Sequence, residues 1–354
     1  MSELFQPLAI GDLELPNRIV MAPLTRCRAG VERVPNRMMA EYYVQRAEAG
    51  LIISEATSVS PQGVGYHGTP GIWSMEQVDG WRLVTEEVHK ADGRIFVQLW
   101  HVGRISDPRL LDRKRPVAPS EVRTAGHVRL LRPIRPYVVP RALDTIEIPG
   151  VVQDFRCGAE HAKEAGFDGV EIHAANGYLI DQFLQDSTNK RSDRYGGTVE
   201  NRARFLLEIV DAIAEVWSPH RIGVHLRPRG EEHDMGDSNP KAIFEYVAEK
   251  LSERRVGFLF VREIEADDSL LSQLKKIFKG PVICNELMSM TDGARLIKAR
   301  SADAIAFGRD YIANPDLVER LRKGVKLNVP DPSTFFAGGR NGYTDYPFLR
   351  EMAQ

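Results

Sequence analysis

The chain has 354 residues, of which 43% are hydrophobic and 27% charged, with a formal charge of −2 at neutral pH. This composition is ordinary for a folded globular protein and excludes disorder as its main state. The near-zero charge gives no electrostatic reason to expect a nucleic acid or an anionic membrane as partner, so a small-molecule substrate is favoured. The length permits either two domains or one large α/β barrel.

The three cysteines, Cys27, Cys157 and Cys284, are far apart and odd in number. They therefore predict neither a disulfide framework nor a metal site, and we expect no metal ion. The N-terminus lacks a basic segment followed by an apolar one, and no run of about 18 apolar residues occurs. We accordingly expect a reducing compartment, the cytoplasm.

The first predicted element is a hairpin at residues 4–16, turning at Gly11 and Asp12, which could plug one end of a barrel. Short apolar runs then alternate with longer amphipathic segments, the pattern of βα units around a parallel sheet. The predicted strands lie at 18–24, 51–56, 94–99, 169–172, 221–226, 257–261, 281–284 and 304–307. The predicted helices lie at 36–49, 74–91, 151–165, 199–216, 240–252, 270–278, 291–299 and 315–323. Eight such units predict a (β/α)₈ TIM barrel rather than a doubly wound sheet.

One segment, residues 103–148, interrupts this alternation after the third strand and is rich in Pro and Arg. Loops of this length are usually functional or carry a small subdomain, so we expect an excursion over the C-terminal mouth of the barrel. The alternative is a disordered linker between two domains, which would leave apolar clusters such as Leu130-Leu131 in water. We favour a single barrel domain over residues 1–354.

Three polar side chains gather around the end of the fourth predicted strand. His173, Asn176 and Tyr178 offer an imidazole N–H, an amide N–H₂ and a phenol O–H within six residues. Together they suit binding a carbonyl oxygen and delivering a proton beside it. Each one alone is also compatible with a structural role, as a loop histidine, a turn residue or a packed ring. Their common position at the active end of a barrel strand favours the chemical role.

Six segments in this order resemble the Old Yellow Enzyme family of FMN-dependent ene-reductases. They are LFQPLAIGDLELPNRIVMAPLTR at 4–26, GLIISEATSVSPQGVGY at 50–66, FVQLWHVGR at 96–104, the stretch 169–205, DAIAFGRDYIANPDL at 303–317 and GYTDYP at 342–347. The resemblance implies FMN across the barrel mouth, NADPH or NADH as the reductant, and hydride transfer to the β-carbon of an activated alkene. Substrates of this kind are α,β-unsaturated carbonyls, maleimides and nitroalkenes.

The resemblance also implies which residues bind the cofactor. Thr25, after Pro23 and Leu24, resembles the side chain that hydrogen-bonds the flavin C4 oxygen, and Thr rather than Cys there resembles the branch first known from yeast and enteric bacteria. Ala56 resembles the position whose backbone faces the pyrimidine ring, and Gln98 the amide that pairs with its edge. Gly308 and Arg309 resemble the phosphate site, for which the alternative is that Arg309 forms an exposed salt bridge.

The resemblance implies that His173 and Asn176 bind the substrate carbonyl and that Tyr178 protonates the α-carbon. Aromatic walls over the flavin are implied at Tyr66, Trp100 and Tyr343, where a packed structural ring is the alternative.

Two segments depart from the family pattern. Where many relatives have VRLSP, with the Arg beside flavin N1, this chain has VHLRP, so His225 takes that place and Arg227 follows on the same strand face. We expect His225, Arg227 or both to stabilise the anionic reduced flavin. Where relatives often have Gly, this chain has CNELM, and we expect Glu286 to point to solvent while the backbone serves the phosphate.

Two alternatives to an ene-reductase stay open at this point. The same flavin chemistry could reduce nitrate esters or nitroaromatics, and the chain could be a flavin-binding barrel without turnover. The set of His173, Asn176 and Tyr178 argues against a silent binder, which has no need of a proton donor. A monomer or a homodimer is expected.

Overall fold

Eight parallel strands form a closed barrel in the computed structural model, which describes residues 2–336 and 338–351. Their bounds are β3 Ile19–Met21, β4 Leu51–Ser58, β5 Ile95–Trp100, β8 Gly169–Ala174, β9 Ile222–Leu226, β10 Phe258–Arg262, β11 Val282–Asn285 and β12 Ala304–Phe307. They pair in chain order, and β12 closes the ring against β3. The predicted (β/α)₈ barrel is therefore confirmed. The proposed domain of 1–354 includes residues 1, 337 and 352–354, which lie outside the described ones.

Helices surround the barrel, as the amphipathic segments predicted. They are α1 Arg37–Val44, α2 Met75–Lys90, α3 Ile148–Glu164, α4 Leu179–Leu184, α5 Val199–Ala214, α6 Pro240–Glu253, α7 Leu271–Phe278, α8 Met290–Lys298, α9 Arg309–Ala313 and α10 Leu317–Lys323. The short helices α4 and α9 were not distinguished in the sequence, because each has less than two turns and no periodic pattern of its own. Within the described ranges, no helix is both long and apolar enough to cross a membrane.

The predicted hairpin closes the N-terminal end of the barrel. Its strands β1, Leu8–Ile10, and β2, Leu13–Leu15, pair antiparallel. Ile10 and Leu15 are fully buried and pack in one cluster with interior side chains such as Phe96 and Phe258. Apolar side chains therefore fill the barrel interior at this end.

The excursion at 103–148 packs on the barrel and does not run free as a linker. It carries two short paired strands, β6 Val117–Ala118 and β7 Arg141–Ala142. Val128, Leu131 and Tyr137 are buried in a cluster that includes Trp100 at the end of β5. The excursion therefore forms part of the wall around the barrel mouth, as predicted.

Candidate active site

A cavity of about 450 Å³ lies at the C-terminal end of the barrel. Twelve of the predicted site residues line it: Pro23, Leu24, Thr25, Ala56, Gln98, Trp100, His173, Asn176, Tyr178, His225, Gly308 and Arg309. They come from six different barrel strands or the loops that follow them, so the barrel closure gathers them. Its volume is within the usual range for small-molecule and cofactor sites, about 300–1,000 Å³.

His173 belongs to β8 itself, since the strand continues to Ala174 and does not end at residue 172 as predicted. It pairs in register with His225 on β9, and the two rings stack 5.1 Å apart. Burial is the main cause that lowers the pKa of His173 well below its usual value, and the neighbouring His225 and Arg262 act in the same direction. The ring is therefore neutral and carries a single N–H.

Asn176 follows in a left-handed conformation, with φ of 58°, which asparagine tolerates better than most residues. Its Nδ2 lies 3.5 Å from His173 Nε2. The imidazole and the amide are thus adjacent on one side of the cavity, and together they can donate to a single oxygen atom.

Tyr178 stands beside this pair. Its ring meets Trp100 edge-on at 4.9 Å and His173 at 5.0 Å, and its hydroxyl lies 3.2 Å from that of Tyr66. Burial raises the pKa of Tyr178 to about 12, an effect that the hydrogen bond with Tyr66 partly offsets. The phenol therefore keeps its proton at neutral pH. Tyr66 also stacks on Trp100 at 5.7 Å, so it stands behind the cavity wall and is not among the side chains that line it.

A buried network joins Gln98 to two neighbouring strands. Gln98 Nε2 donates to Glu171 Oε2 over 2.6 Å and lies 3.2 Å from His225 Nδ1. Burial raises the pKa of Glu171 to about 8. Burial also lowers the pKa of His225 well below its usual value, and the charges of Arg262 and Arg227 add to this effect. Because Gln98 Nε2 can only donate, Nδ1 of the neutral His225 accepts and its proton sits on Nε2. His225 thereby offers an N–H donor but no charge.

The loop after β3 and the middle of β4 complete this side of the cavity. The register of β4 against β5 shifts between Ile53 and Ala56, a bulge-like irregularity of the kind often found beside active sites. After the shift Ala56 pairs with Gln98, and both line the cavity. The Arg26 amide, next to Thr25, donates to the buried Glu55 carboxylate at 3.2 Å, which holds the loop against β4.

The opposite side is open and carries Arg309 beside Asp310. Gly308 precedes the first turn of α9, and Arg309 is an exposed residue of the cavity lining. Among the described residues Arg309 forms no ion pair, so the alternative of an exposed salt bridge is not what the structure contains. A backbone without Cβ beside a guanidinium suits a phosphate group.

Besides Tyr66, two more predicted site residues, Arg227 and Tyr343, do not line the cavity. Arg227 is ion-paired with Glu232, which follows it in the same loop, and its guanidinium also lies 3.8 Å from the Glu286 carboxylate and 3.5 Å from Asn176 Oδ1. Tyr343 is fully buried and stacks on Tyr42 of α1 at 4.1 Å, because the C-terminal segment packs behind the loop of Thr25. For Tyr343 the structural alternative is the one observed.

The expectation for Glu286 is wrong. Its side chain does not point to solvent but lines the cavity, where it forms an ion pair with Arg262. Arg262, the last residue of β10, donates from Nη1 to Asn176 Oδ1 at 3.1 Å. The guanidinium that lines the cavity is therefore that of Arg262 on β10 and not that of Arg227.

Ten residues of the lining were not predicted to belong to it: Ala22, Phe260, Arg262, Asn285, Glu286, Leu287, Met288, Ala306, Phe307 and Asp310. A signal existed for Arg262. Residues two apart on a strand share a face, so Phe258, Phe260 and Arg262 form one series, but the predicted strand ended at residue 261. Within residues 2–336 and 338–351, no group of three or more His, Cys, Asp or Glu side chains could hold a metal ion.

The lining fits a flavin mononucleotide. Three buried nitrogens in it, His173 Nδ1, His225 Nε2 and Trp100 Nε1, have no hydrogen-bond partner in the described part of the chain. Buried polar groups nearly always have a partner, so a polar ligand is expected to supply one. Uncharged donors at one side and Arg309 at the other match a flat polar ring at one end and a phosphate at the other.

Comparisons with known proteins agree with this chemistry. Residues 3–328 match the model of the NADH:flavin oxidoreductase / NADH oxidase family. A probable flavin mononucleotide-dependent alkene reductase of Leishmania infantum is 40% identical over 355 residues, covering 98% of this chain and 97% of that protein.

Two solved structures are also similar over nearly the whole chain. Morphinone reductase in complex with tetrahydroNAD superposes with a TM-score of 0.95 at 49% identity, covering 98% of this chain and 97% of the other. The old yellow enzyme homologue from Zymomonas mobilis gives a TM-score of 0.95 at 43% identity, with coverages of 98% and 99%.

The fold and the site thus define a flavin-binding barrel oxidoreductase, and the chain belongs to the NADH:flavin oxidoreductase / NADH oxidase family. The resemblance to the Old Yellow Enzyme family is confirmed. The protein is an oxidoreductase with FMN as cofactor and a reduced nicotinamide as reductant.

Proposed function

We propose that this protein is an ene-reductase that adds hydride and a proton across an alkene activated by a carbonyl, imide or nitro group. The observation that carries the proposal is the convergence of His173, Asn176 and Tyr178 on one side of a cavity whose remaining lining fits FMN. The similarity to proteins described as alkene reductase and morphinone reductase supports it.

His173 and Asn176 bind the oxygen of the activating group. Both donors are neutral, and the low pKa of His173 keeps its ring from competing with Tyr178 as the acid. Their N–H groups stabilise the negative charge that grows on the oxygen as the β-carbon accepts hydride. Bound FMN supplies the hydride chemistry, accepting from reduced nicotinamide and donating to the alkene.

Tyr178 gives its proton to the α-carbon. A phenol whose pKa is raised to about 12 is a poor acid toward water but a sufficient one toward an enolate-like carbon, which is far more basic. Tyr66 Oη lies 3.2 Å away and can pass a replacement proton after transfer.

For the cofactor, we propose that Thr25, Ala56, Gln98 and His225 hold the pyrimidine end and that Gly308 and Arg309 hold the phosphate. His225 Nε2–H is the donor that this chain offers near the flavin N1 region. The positive charge in that region comes from Arg262 on the neighbouring strand, β10. Assignment to the branch with Thr25 stays a prediction, as do the cytoplasmic location, the monomeric or homodimeric state and the organisation of 1–354 as one FMN-binding domain.

Purification with FMN tests the proposal. We expect a yellow protein that oxidises NADPH or NADH anaerobically only when 2-cyclohexenone or N-ethylmaleimide is added. A protein that binds FMN but reduces only a nitrate ester or a nitroaromatic would support the first alternative instead. A yellow protein with no turnover of any of these compounds would identify a flavin-binding barrel and overturn the proposal.

A further inference from the structure

Arg262 connects three parts of the cavity wall. It ends β10, and because it lies two residues after Phe260 it projects from the same strand face, toward the barrel mouth. Its Nη1 donates to Asn176 Oδ1 at 3.1 Å, and its Nε and Nη2 both bond the carboxylate of Glu286, the latter at 3.2 Å. The hydrogen bonds that the Arg262 guanidinium donates to Asn176 and Glu286 therefore go to residues that line the cavity.

This contact determines how the amide of Asn176 is turned. Arginine has five N–H donors and no acceptor, so the atom of Asn176 that faces Arg262 must be the carbonyl oxygen. Arg227 Nη1 lies 3.5 Å from the same oxygen, which strengthens that orientation. The N–H₂ group consequently lies on the His173 side, 3.5 Å from its Nε2. With the amide reversed, its oxygen would repel the substrate oxygen instead of binding it.

Glu286 in turn keeps Arg262 in place. The two groups meet as a bidentate pair, the geometry that best fixes a guanidinium. Glu286 holds this position with a backbone φ of 112°, and the next residue, Leu287, has φ of 52°. A positive φ at non-glycine residues is strained and persists only where surrounding contacts impose it, often at functional sites. The ion pair provides such a contact.

We propose that Arg262, clamped by Glu286, is a positioning residue that holds the Asn176 amide with its N–H₂ toward the substrate oxygen. The inference rests on the proposed function, because it assumes that His173 and Asn176 bind that oxygen. It goes beyond that function by assigning substrate affinity to a pair of residues from β10 and the loop after β11.

The test uses 4-nitrophenol, whose phenolate resembles an enolate oxygen and is coloured. The FMN-loaded protein is titrated with it and followed by visible difference spectra, for the wild type and for Arg262→Gln, Arg262→Lys, Glu286→Gln, Asn176→Ala and the double variant Asn176→Ala/Arg262→Gln. Arg295→Gln is the matched control, since Arg295 forms an arginine–carboxylate pair with Glu265 on the exposed surface.

We expect Arg262→Gln to weaken phenolate binding about tenfold and to raise the pH at which the bound probe ionises. Glu286→Gln and Arg262→Lys should give smaller losses in the same direction, and Arg295→Gln none. In the Asn176→Ala background, removing Arg262 should have almost no further effect, because the group it positions is gone. FMN content and the thermal midpoint of each variant show whether it has folded.

Three outcomes would overturn the inference. Unchanged phenolate affinity in a folded, FMN-loaded Arg262→Gln protein would show that Arg262 positions nothing. An equal loss from Arg262→Gln with and without Asn176 would show that it acts through its own charge. If Asn176→Ala itself bound the probe as tightly as wild type, the assumed oxygen site would fail, and the proposed function would lose its basis together with the inference.

Discussion

Tyr178 combines two properties that an acid for carbon protonation needs. Its ring is held between Trp100 and His173, and its hydroxyl has one close partner in the described structure, Tyr66 Oη at 3.2 Å. The ring cannot turn away without losing these contacts, while the proton stays on the phenol because burial raises the pKa of Tyr178 to about 12. Position and proton affinity are therefore set by the same packing.

Replacing Tyr178 by Phe should slow alkene reduction about 10²-fold or more, the usual contribution of a positioned acid, and leave reduction of FMN by nicotinamide nearly unchanged. Stopped-flow measurement of the two half-reactions separates these effects. Tyr66→Phe is the matched control, because it removes the neighbouring hydroxyl and keeps the acid, so it should cost much less. An equal loss in both half-reactions would refute the role of Tyr178 as proton donor.

Glu171 should make the stability of the protein depend on pH. Its folded-state pKa of about 8 lies above the ordinary value of 4.5, because burial disfavours the charge. A carboxyl group with a raised folded pKa favours the folded state fully below pH 4.5, and this contribution is lost as pH rises toward about 8. Glu55 and Asp181, each with a pKa raised to about 7 by burial, act in the same direction.

Glu171→Gln keeps an acceptor for Gln98 and removes the titration. The difference in unfolding free energy between this variant and wild type should therefore grow in favour of the variant between pH 5 and 8 in denaturant titrations. Glu86→Gln, the same substitution at an exposed position, serves as the control. A constant difference for Glu171→Gln would mean that Glu171 does not titrate in this range.

Some site residues could be predicted from the sequence and others could not, for a physical reason. His173, Asn176 and Tyr178 are close in the chain, so a local pattern contains them. The roles of Arg262 and Glu286 depend on their contact with each other and on the contact of Arg262 with Asn176, which lies 86 positions before it. A charge-pairing preference of this kind depends on barrel closure, and no local pattern encodes it.

At the level of the element, burial on both faces made the barrel strands recognisable in the sequence. Apolar residues on both faces are typical of a strand buried between helices and a filled interior, and β4 and β5 are buried along their full length. Strand ends were less accurate than strand existence, because polar residues such as His173 and Arg262 continue a strand into the site. The predicted strands therefore ended too early, just before the polar residues that belong to the site.

The hairpin should stabilise the barrel without affecting its chemistry. Leu15→Ala removes a fully buried side chain from the interior cluster with Phe96 and Phe258, and should cost about 2–5 kcal/mol of unfolding free energy. Glu14→Ala, one position away and exposed, is the control and should cost little. Denaturant unfolding measures both. The plug interpretation would fail if Leu15→Ala weakened FMN binding as strongly as it lowered stability.

On the scale of the whole molecule, the C-terminal segment packs against the loop that follows the first barrel strand, β3. Arg26, fully buried, donates to the carbonyls of Phe335 and Gly342 at 3.0 and 2.7 Å and to Tyr42 Oη at 3.1 Å. Arg28 adds a bond to the carbonyl of Thr334 at 2.9 Å. These contacts explain the burial of Tyr343, which a sequence-based assignment could not place without knowing where the chain end packs.

Arg26→Ala should therefore destabilise the protein and also loosen the cofactor site. Two buried acceptors and one partly buried acceptor would lose a charged donor, at about 1–3 kcal/mol each, and their losses would partly overlap because the acceptors share one group. We expect a total of about 3–5 kcal/mol in denaturant unfolding. FMN affinity should fall as well, because Arg26 directly follows Thr25 in the loop that lines the cavity.

Arg82→Ala is the matched control, since Arg82 forms a partly exposed pair with Asp79 and such pairs contribute little. Arg26→Lys separates charge from geometry: a single ammonium cannot reach all three acceptors, so it should recover only part of the stability. If Arg26→Ala cost no more than Arg82→Ala, the chain end would not be fastened through this guanidinium. If stability fell while FMN affinity stayed constant, the C-terminal segment would support the barrel but not the loop of Thr25.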